Sequence, residues 1–300
     1  MSAGVYRTDN AAGKQLREDL LDEMTMISPV ETPLFSNLGE STANQTLHEW
    51  VNDEIARSSS VDAVAEGADA SFSDLTSPSR NNNYVQEITK TFKVSWKQRM
   101  SENAGITDQF EYEKAKAMKR WKLAAEYSLI YGSGISGASG SGWSMKGLLT
   151  SLTSNYVSYA SGTSLTEDRF NDILELCYDD VEDDDFDVYV PVGLKRAISG
   201  FTGGSTKNID ADEARIIKKV DVYESEVFNI VRIYKHRDLT NAGMIMIGIQ
   251  PKYFKKAFLA RPKFAPLAKT GANDAGMIWG ALTLEFRQQK AGFVARNLVK

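Results

Sequence analysis

The chain has 300 residues and a mass of 33.2 kDa, room for one large domain or two modest ones, and a chain of that size buries roughly 75% of its unfolded surface without a disulfide or metal staple. Thirty-five Lys and Arg against forty Asp and Glu leave a net charge of −5, which argues against a dedicated nucleic-acid binder with its basic excess. A single cysteine, Cys177, excludes an intramolecular disulfide and a thiolate metal cluster, and two histidines far apart, His48 and His236, leave little for a zinc site.

Along the chain, the opening residues are polar and patternless and contain no apolar core that could serve as a signal peptide. Leu16, Leu20, Met24 and Ile27 then follow helical spacing up to Ser28-Pro29, where proline stops the helix. Glu31 to Gly39 places apolar anchors in a turn-rich segment. Two candidate strands come next, Thr46–Asp53 with Trp50, and Tyr84–Gln98. In the second, Tyr84, Ile88, Phe92, Val94 and Trp96 share one face, while Glu87, Lys93 and Lys97 take the other. Fully extended it would reach roughly 50 Å. The roughly thirty polar residues between the two strands have no core of their own, so the spacing predicts a projecting hairpin.

The best helical pattern runs from Asp108 to Tyr131, with Asp108 and Glu111 as a capping pair. Phe110, Ala117, Met118, Trp121, Ala125 and Leu129 form its apolar stripe, and Lys114, Lys116, Lys119, Arg120 and Lys122 cover the other side. The charge-free stretch Tyr127–Met145 is of membrane-spanning length, but eleven of its nineteen residues are Gly or Ser, which predicts a flexible loop and no span. Beyond it, Thr166–Tyr178 reads as a helix with Phe170, Ile173, Leu174 and Cys177 inward. Strands are expected at Val188–Val190, Lys219–Tyr223, Val227–Tyr234, Met244–Ile249, Met277–Arg287 and Gly292–Leu298, with a helix from Val192 to Phe201. The fold class is α+β with mostly antiparallel pairing.

Motifs for chemistry fail one by one. Gly132-Ser133-Gly134-Ile135-Ser136-Gly137 spells GxGxxG, but it follows a helix C-terminus, where the dipole repels phosphate, and the next acidic residue is Glu167. The acidic run Asp179, Asp180, Glu182, Asp183, Asp184, Asp185 and Asp187 has Val188 and Leu194 where a calcium loop starting at Asp183 needs Gly and Glu, so a solvated loop is the better reading. Neither histidine has a recognisable serine or cysteine partner, and Cys177 sits on an apolar helix face. No catalytic, cofactor-binding or metal residue is assigned, and the chain is not expected to be an enzyme.

The order of these elements resembles the major capsid proteins of tailed bacteriophages, the Hong Kong 97-type fold. Locally, Arg17-Glu18-Asp19-Leu20, Ser28-Pro29 and Thr32-Pro33-Leu34-Phe35-Ser36 resemble the opening of a capsid subfamily catalogued as a domain of unknown function. His48-Glu49-Trp50, Glu66-Gly67-Ala68, Asn83-Tyr84 and Lys93-Val94-Ser95 are similar to its extended-loop region. The resemblance implies an N-arm at 1–45, an E-loop with flanking strands at 46–98, and a P-domain with spine helix at 99–135. An A-domain at 136–270 and closing strands at 271–300 would follow. It implies a structural protein that assembles with itself into pentamers and hexamers around packaged double-stranded DNA, in a virion assembled in the host cytoplasm. Portal, scaffolding or decoration proteins are the other expected partners, with no membrane and no cofactor. An encapsulin-like nanocompartment shell is the alternative, ahead of a cation-dependent hydrolase or a tail or neck component. Between Ile55 and Asn83 there is no lysine, so crosslinking through an E-loop lysine is not expected.

Charge is unevenly placed. Residues 1–83 hold five basic and fourteen acidic side chains, residues 166–190 one and eleven, and residues 252–300 ten and two. Opposing patches of this kind suit a chain whose main partner is itself.

Overall fold

A computed structural model describes residues 31–55, 61, 63–69, 77–101, 105–137, 142–178, 181, 185–201, 221–223, 225, 227–228, 230–240 and 243–299. The helix expected at Leu16–Ile27 lies outside these residues, as does most of the acidic run. The elements in chain order are α1 (Pro33–Asn37), β1 (Gly39–Thr42), β2 (Leu47–Asn52), β3 (Ser79–Tyr84), β4 (Gln86–Ser95), α2 (Trp96–Met100), α3 (Gln109–Tyr131), α4 (Leu148–Ser151) and β5 (Tyr156–Ser164). There follow α5 (Glu167–Tyr178), β6 (Phe186–Val190), α6 (Val192–Ile198), β7 (Val222–Tyr223), β8 (Val231–Lys235), β9 (Met246–Ile249), β10 (Phe254–Pro266), β11 (Asn273–Phe286) and β12 (Gly292–Val299).

These strands form three sheets among the described residues: β1-β10-β11-β4, β5-β12-β9-β6-β8-β7, and the pair β2-β3. Six of the nine strand pairings are antiparallel, in keeping with the α+β expectation. Helix α3 begins where Asp108 accepts the Phe110 N–H at 2.8 Å. Glu111 does not complete a reciprocal cap; it pairs with Lys114 at 3.0 Å. The helix lays Ala117, Trp121, Ala125, Leu129 and Ile130 on the four-stranded sheet, where they meet Ile88, Phe92, Ile278 and Leu282. Trp121 is fully buried, and its indole N–H donates to the Ile88 carbonyl at 2.9 Å. Gly280 permits this approach, since a Cβ there would lie 2.8 Å from the Trp121 ring and 3.0 Å from Pro262.

The six-stranded sheet is buried on both faces at its centre. All five residues of β6 are buried. One face, with Val188, Val190, Met246 and Phe293, packs under α5 and α6 through Phe170, Ile173, Leu174, Cys177, Leu194 and Ile198. The opposite face, with Tyr189, Ile247, Ile249 and Val294, joins the core around α3. Strand alternation thus sends successive residues of β6, β9 and β12 into two different cores.

Three expectations change. The hairpin partner of β2 is the polar β3, not Tyr84–Gln98. The chain turns at Val85, whose N–H donates to the Thr46 carbonyl at 2.9 Å, and β4 leaves the hairpin to pair with β11. In that position the apolar face of β4, with Ile88 and Phe92, joins the core formed with α3. The long second strand also ends at Ser95, whose hydroxyl accepts the Gln98 N–H and caps α2. Finally, Phe254–Pro266, expected to belong with the preceding region, pairs instead with β1 and β11 in the four-stranded sheet.

Candidate assembly surfaces and their anchors

Among the described residues, β2 and β3 form a two-stranded sheet of their own. Its six residue pairs run from Leu47↔Tyr84 to Asn52↔Ser79, and an isolated two-stranded ribbon is marginal in water. Its base is held by specific contacts. Trp50 packs edge-on against Phe286 at 5.1 Å, and His48 Nε2 lies 3.2 Å from Glu285 Oε2. Burial pushes the Glu285 carboxyl up, but hydrogen bonds from Arg287, His48 and Ser41 overcome it and hold the group below the usual carboxylate range. Fully buried Asn83 donates to the carbonyls of Lys146 and Leu284, at 3.1 and 2.7 Å, and accepts the Lys146 N–H at 2.8 Å. One side chain therefore joins the hairpin, β11 and the glycine-rich segment. Farther out, Val51 is 64%, Ile55 98%, Val61 93% and Val64 78% exposed. Four exposed apolar side chains on and beyond an anchored stem are candidates for a contact surface.

A second anchor fastens α1. Helix α1 starts with Pro33 and has no cap from Thr32. Glu126 of α3 takes the cap's place from 92 positions away, accepting the Leu34 N–H at 2.9 Å on Oε1 and the Phe35 N–H at 2.5 Å on Oε2. His236 Nε2 approaches the same Oε1 at 2.7 Å. On the other side of α1, Lys256 Nζ donates to the Phe35 carbonyl at 2.5 Å and lies 4.4 Å from the Phe35 ring centre. Burial pulls the Lys256 ammonium below its ordinary range, opposed by Glu40 at 3.6 Å. Phe35 itself meets Trp121 and Phe258 edge-on.

The residues singled out in the sequence fall into place around these anchors. Gly132 ends α3, and a Cβ there would stand 2.2 Å from the Met145 carbonyl. It is a close-packing glycine, so the stretch expected to be a flexible loop is pinned at its start; Ser133 also bridges to Lys146. Cys177 is buried, with the Asn155 amide 3.3 Å from its sulfur. Of the acidic run, Asp185 pairs with Arg232 and Asp187 lies 3.7 Å from it. Desolvation raises the Asp187 carboxyl to about 6, with Arg232 opposing the rise and Asp185 adding to it. Among the described residues no group of three or more His, Cys, Asp or Glu could hold a metal ion, and no helix is long and apolar enough to cross a membrane.

Sequence reasoning passed over Glu126, Asn83, Lys256 and the Glu126–His236 contact. Glu126 did leave a trace: it is the one acid between Lys114 and Tyr131 and stands beside Ala125 and Leu129 of the apolar stripe. Asn83 entered only through the resemblance, as Asn83-Tyr84; its anchoring role had no signal, since the run Ser79-Arg80-Asn81-Asn82-Asn83-Tyr84 lacks strand propensity.

A long helix across a four-stranded sheet, an anchored hairpin and a second mixed sheet make up the Hong Kong 97-type shell fold. The native capsid of a gene-transfer-agent particle superposes with a TM-score of 0.70 at 11% identity, covering 99% of this chain and 100% of that one. An encapsulin complex from Synechococcus elongatus gives 0.61 at 12% identity over 98% and 96% of the two chains, and phage capsids align similarly. By sequence, the major capsid protein of Escherichia phage Phieco32 is 28% identical over 109 residues, 36% of this chain and 31% of that protein, so the match spans about a third of the relative's length. The family of the SU10 major capsid protein matches residues 4–299, and the chain belongs to that family.

Proposed function

We propose that copies of this chain assemble into hexamers and pentamers that close into the icosahedral shell of a tailed phage, enclosing packaged double-stranded DNA. The observation that carries this reading is the hairpin: its stem is fixed by buried Asn83 and Trp50, yet its apolar residues beyond the stem face water. A neighbouring copy supplies the missing cover, because burying that surface between subunits recovers the hydrophobic free energy that one subunit alone forgoes. The role is structural, without cofactor or catalytic group. Residues 1–45 act as N-arm, 46–98 as E-loop and 99–135 as spine; the A-domain is best drawn at 136–253 with β12, while β10 and β11 complete the P-domain sheet. Portal, scaffolding or decoration proteins are further partners, assembly takes place in the host cytoplasm, and contacts to the DNA are not sequence-specific. A tip without lysine forms no E-loop crosslink, so mature particles run as a single band of monomer on a denaturing gel.

Electron microscopy of the purified full chain is the test. Closed shells or capsomers with five- and six-fold symmetry, and particles from infected cells that hold DNA, are the expected result. A chain that remains monomeric under all assembly conditions overturns the reading, and shells filled with cargo protein in place of DNA turn it toward a nanocompartment.

A further inference from the structure

The outward side of α3 carries positive charge with few acids to answer it. From Lys114 to Tyr131 the helix has one acid, Glu126, which is buried and occupied by α1. Trp121 is buried, so at about 100° per residue Lys116 and Lys119 stand on the opposite crest, with Arg120 and Lys122 on its two flanks. All four are exposed. Lys114 is engaged elsewhere, with Glu111 at 3.0 Å and over the Phe264 ring at 5.0 Å, and Lys116 lies 3.5 Å from Glu113. Arg120 and Lys122 take part in no ion pair among the described residues. Several cations elsewhere are answered by acids of the same chain: Lys195 by Asp221 at 2.6 Å, and Arg261 by Glu40 and Arg99 by Asp274, both at 2.7 Å.

We infer that this face of α3 is a contact surface for the phosphate backbone of duplex DNA. The inference rests on the reading of the chain as a shell around packaged DNA, and it names the part of the subunit that meets the duplex. From Lys116 to Lys122 the helix rises about 9 Å, and over that length a duplex carries about five phosphate charges. Four cations on two turns match that density. Apart from Ala115, every residue exposed from 115 to 122 is Lys or Arg. Long cations with no Asn or Gln among them hold phosphates at any sequence, which suits contacts that are not sequence-specific.

The composition of the face decides against a second copy as its occupant. A stable protein interface has an apolar core and is depleted in lysine. Among the described residues no large apolar side chain is exposed between Met100 and Tyr127, whereas the hairpin shows Val51, Ile55, Val61 and Val64. The net charge of −5 does not oppose the contact. A phosphate at the surface responds to charges within a Debye length, about 8 Å at physiological salt, and not to the chain as a whole. It follows that α3 turns toward the lumen of the shell.

Binding of a fluorescent duplex of about 30 base pairs to the unassembled full chain, followed by anisotropy from about 50 to about 300 mM salt, tests this. R120Q/K122Q should lower the affinity on the order of tenfold or more at about 100 mM salt. It should also make the slope of log K against log salt shallower by about 2. R120K/K122R keeps both charges and should bind as the wild type does. K93Q/K263Q removes equal charge from the other side of the sheet, since Lys93 alternates with Phe92 and Val94, and Lys263 precedes Phe264. It should leave affinity and slope unchanged. Wild-type affinity in R120Q/K122Q, or equal losses in the two Gln variants, overturns the DNA face. Self-association without DNA that R120Q/K122Q abolishes overturns it too, and assigns the face to a neighbouring copy. Shells that form from a chain whose duplex binding ignores Arg120 and Lys122 sink this face alone; duplex binding as expected, with no shells in micrographs, sinks the shell reading alone.

Discussion

The six-stranded sheet and the β2-β3 hairpin use apolar residues in opposite ways. In the sheet, β6 has all five residues buried, and α5 and α6 close one side while α3 reaches the other. In the hairpin, a buried stem at Trp50 and Asn83 gives way within a few residues to Val51 and Ile55 in water. The first region finishes its core within one chain. The second finishes only its anchor. On the proposed function a subunit uses both: a body that folds by itself, and an arm left for a neighbouring copy to cover.

This contrast sets the size of the effects that substitutions should have. The largest belongs to the closed body. Phe186 stacks between Phe228 and Phe293 at 4.9 and 5.7 Å, and Phe186→Ala should cost about 3–5 kcal/mol in urea unfolding of the unassembled subunit. Asn83→Ala removes the stem anchor's hydrogen bonds to the Lys146 N–H and to the Lys146 and Leu284 carbonyls, a loss of about 2–4 kcal/mol by the same measurement. If the hairpin stem unfolded without any change in the subunit's midpoint, the stem would be no part of the cooperative unit and the contrast would fail.

A smaller effect depends on pH. The Asp187 carboxyl rises from 3.8 to about 6 on folding, so between these values the folded state binds the extra proton. This contribution to stability is fully present below about pH 4 and is lost as the pH rises through 6. Asp187→Asn should therefore gain on the wild type in melting temperature as the pH is raised from about 5 to about 7.5. The smallest effect on the subunit falls on the arm. The double substitution Val51→Ser and Ile55→Ser should change unfolding by less than about 0.5 kcal/mol yet reduce the yield of closed particles in electron micrographs. Equal yields would show that the exposed row is not an assembly contact.

Much of the body was legible because its periodicity is strong. Of the α3 stripe, Ala117, Trp121, Ala125 and Leu129 are buried while Phe110 and Met118 are half-buried, and the inward set Phe170, Ile173, Leu174 and Cys177 of α5 matches the burial found. The alternation of β4 likewise delivered Ile88, Phe92 and Val94 to the core. The pairing of β4 was not legible, since alternation tells which face is inward and not which edge is taken. Strand β3 was hidden by its asparagines, which lack strand propensity; Asn83 bonds carbonyls in place of packing. Strand β5 was hidden because its burial is shallow and its pairing with β12 skips from Ser158 to Thr163. The anchors were least visible of all: Glu126, His236 and Lys256 are scattered along the sequence, and only the fold brings them to α1.

The pairing of β1 with β10 has a consequence for how the chain is made. Lys256 and the Phe35 carbonyl that it holds are 221 positions apart, and β4 must find β11 across a similar span. At roughly 5–20 residues per second, a ribosome needs on the order of 10–40 s between making the first of these strands and the last. Throughout that interval Ile88, Phe92 and Val94 have no sheet to join, and the edge of β4 is open to any other nascent copy nearby. The four-stranded sheet thus closes only after β11 has been made, and pairing strands so distant in sequence is slow. The rate at which finished subunits appear would then be governed by late strand pairing and by whatever shields β4 until β11 arrives.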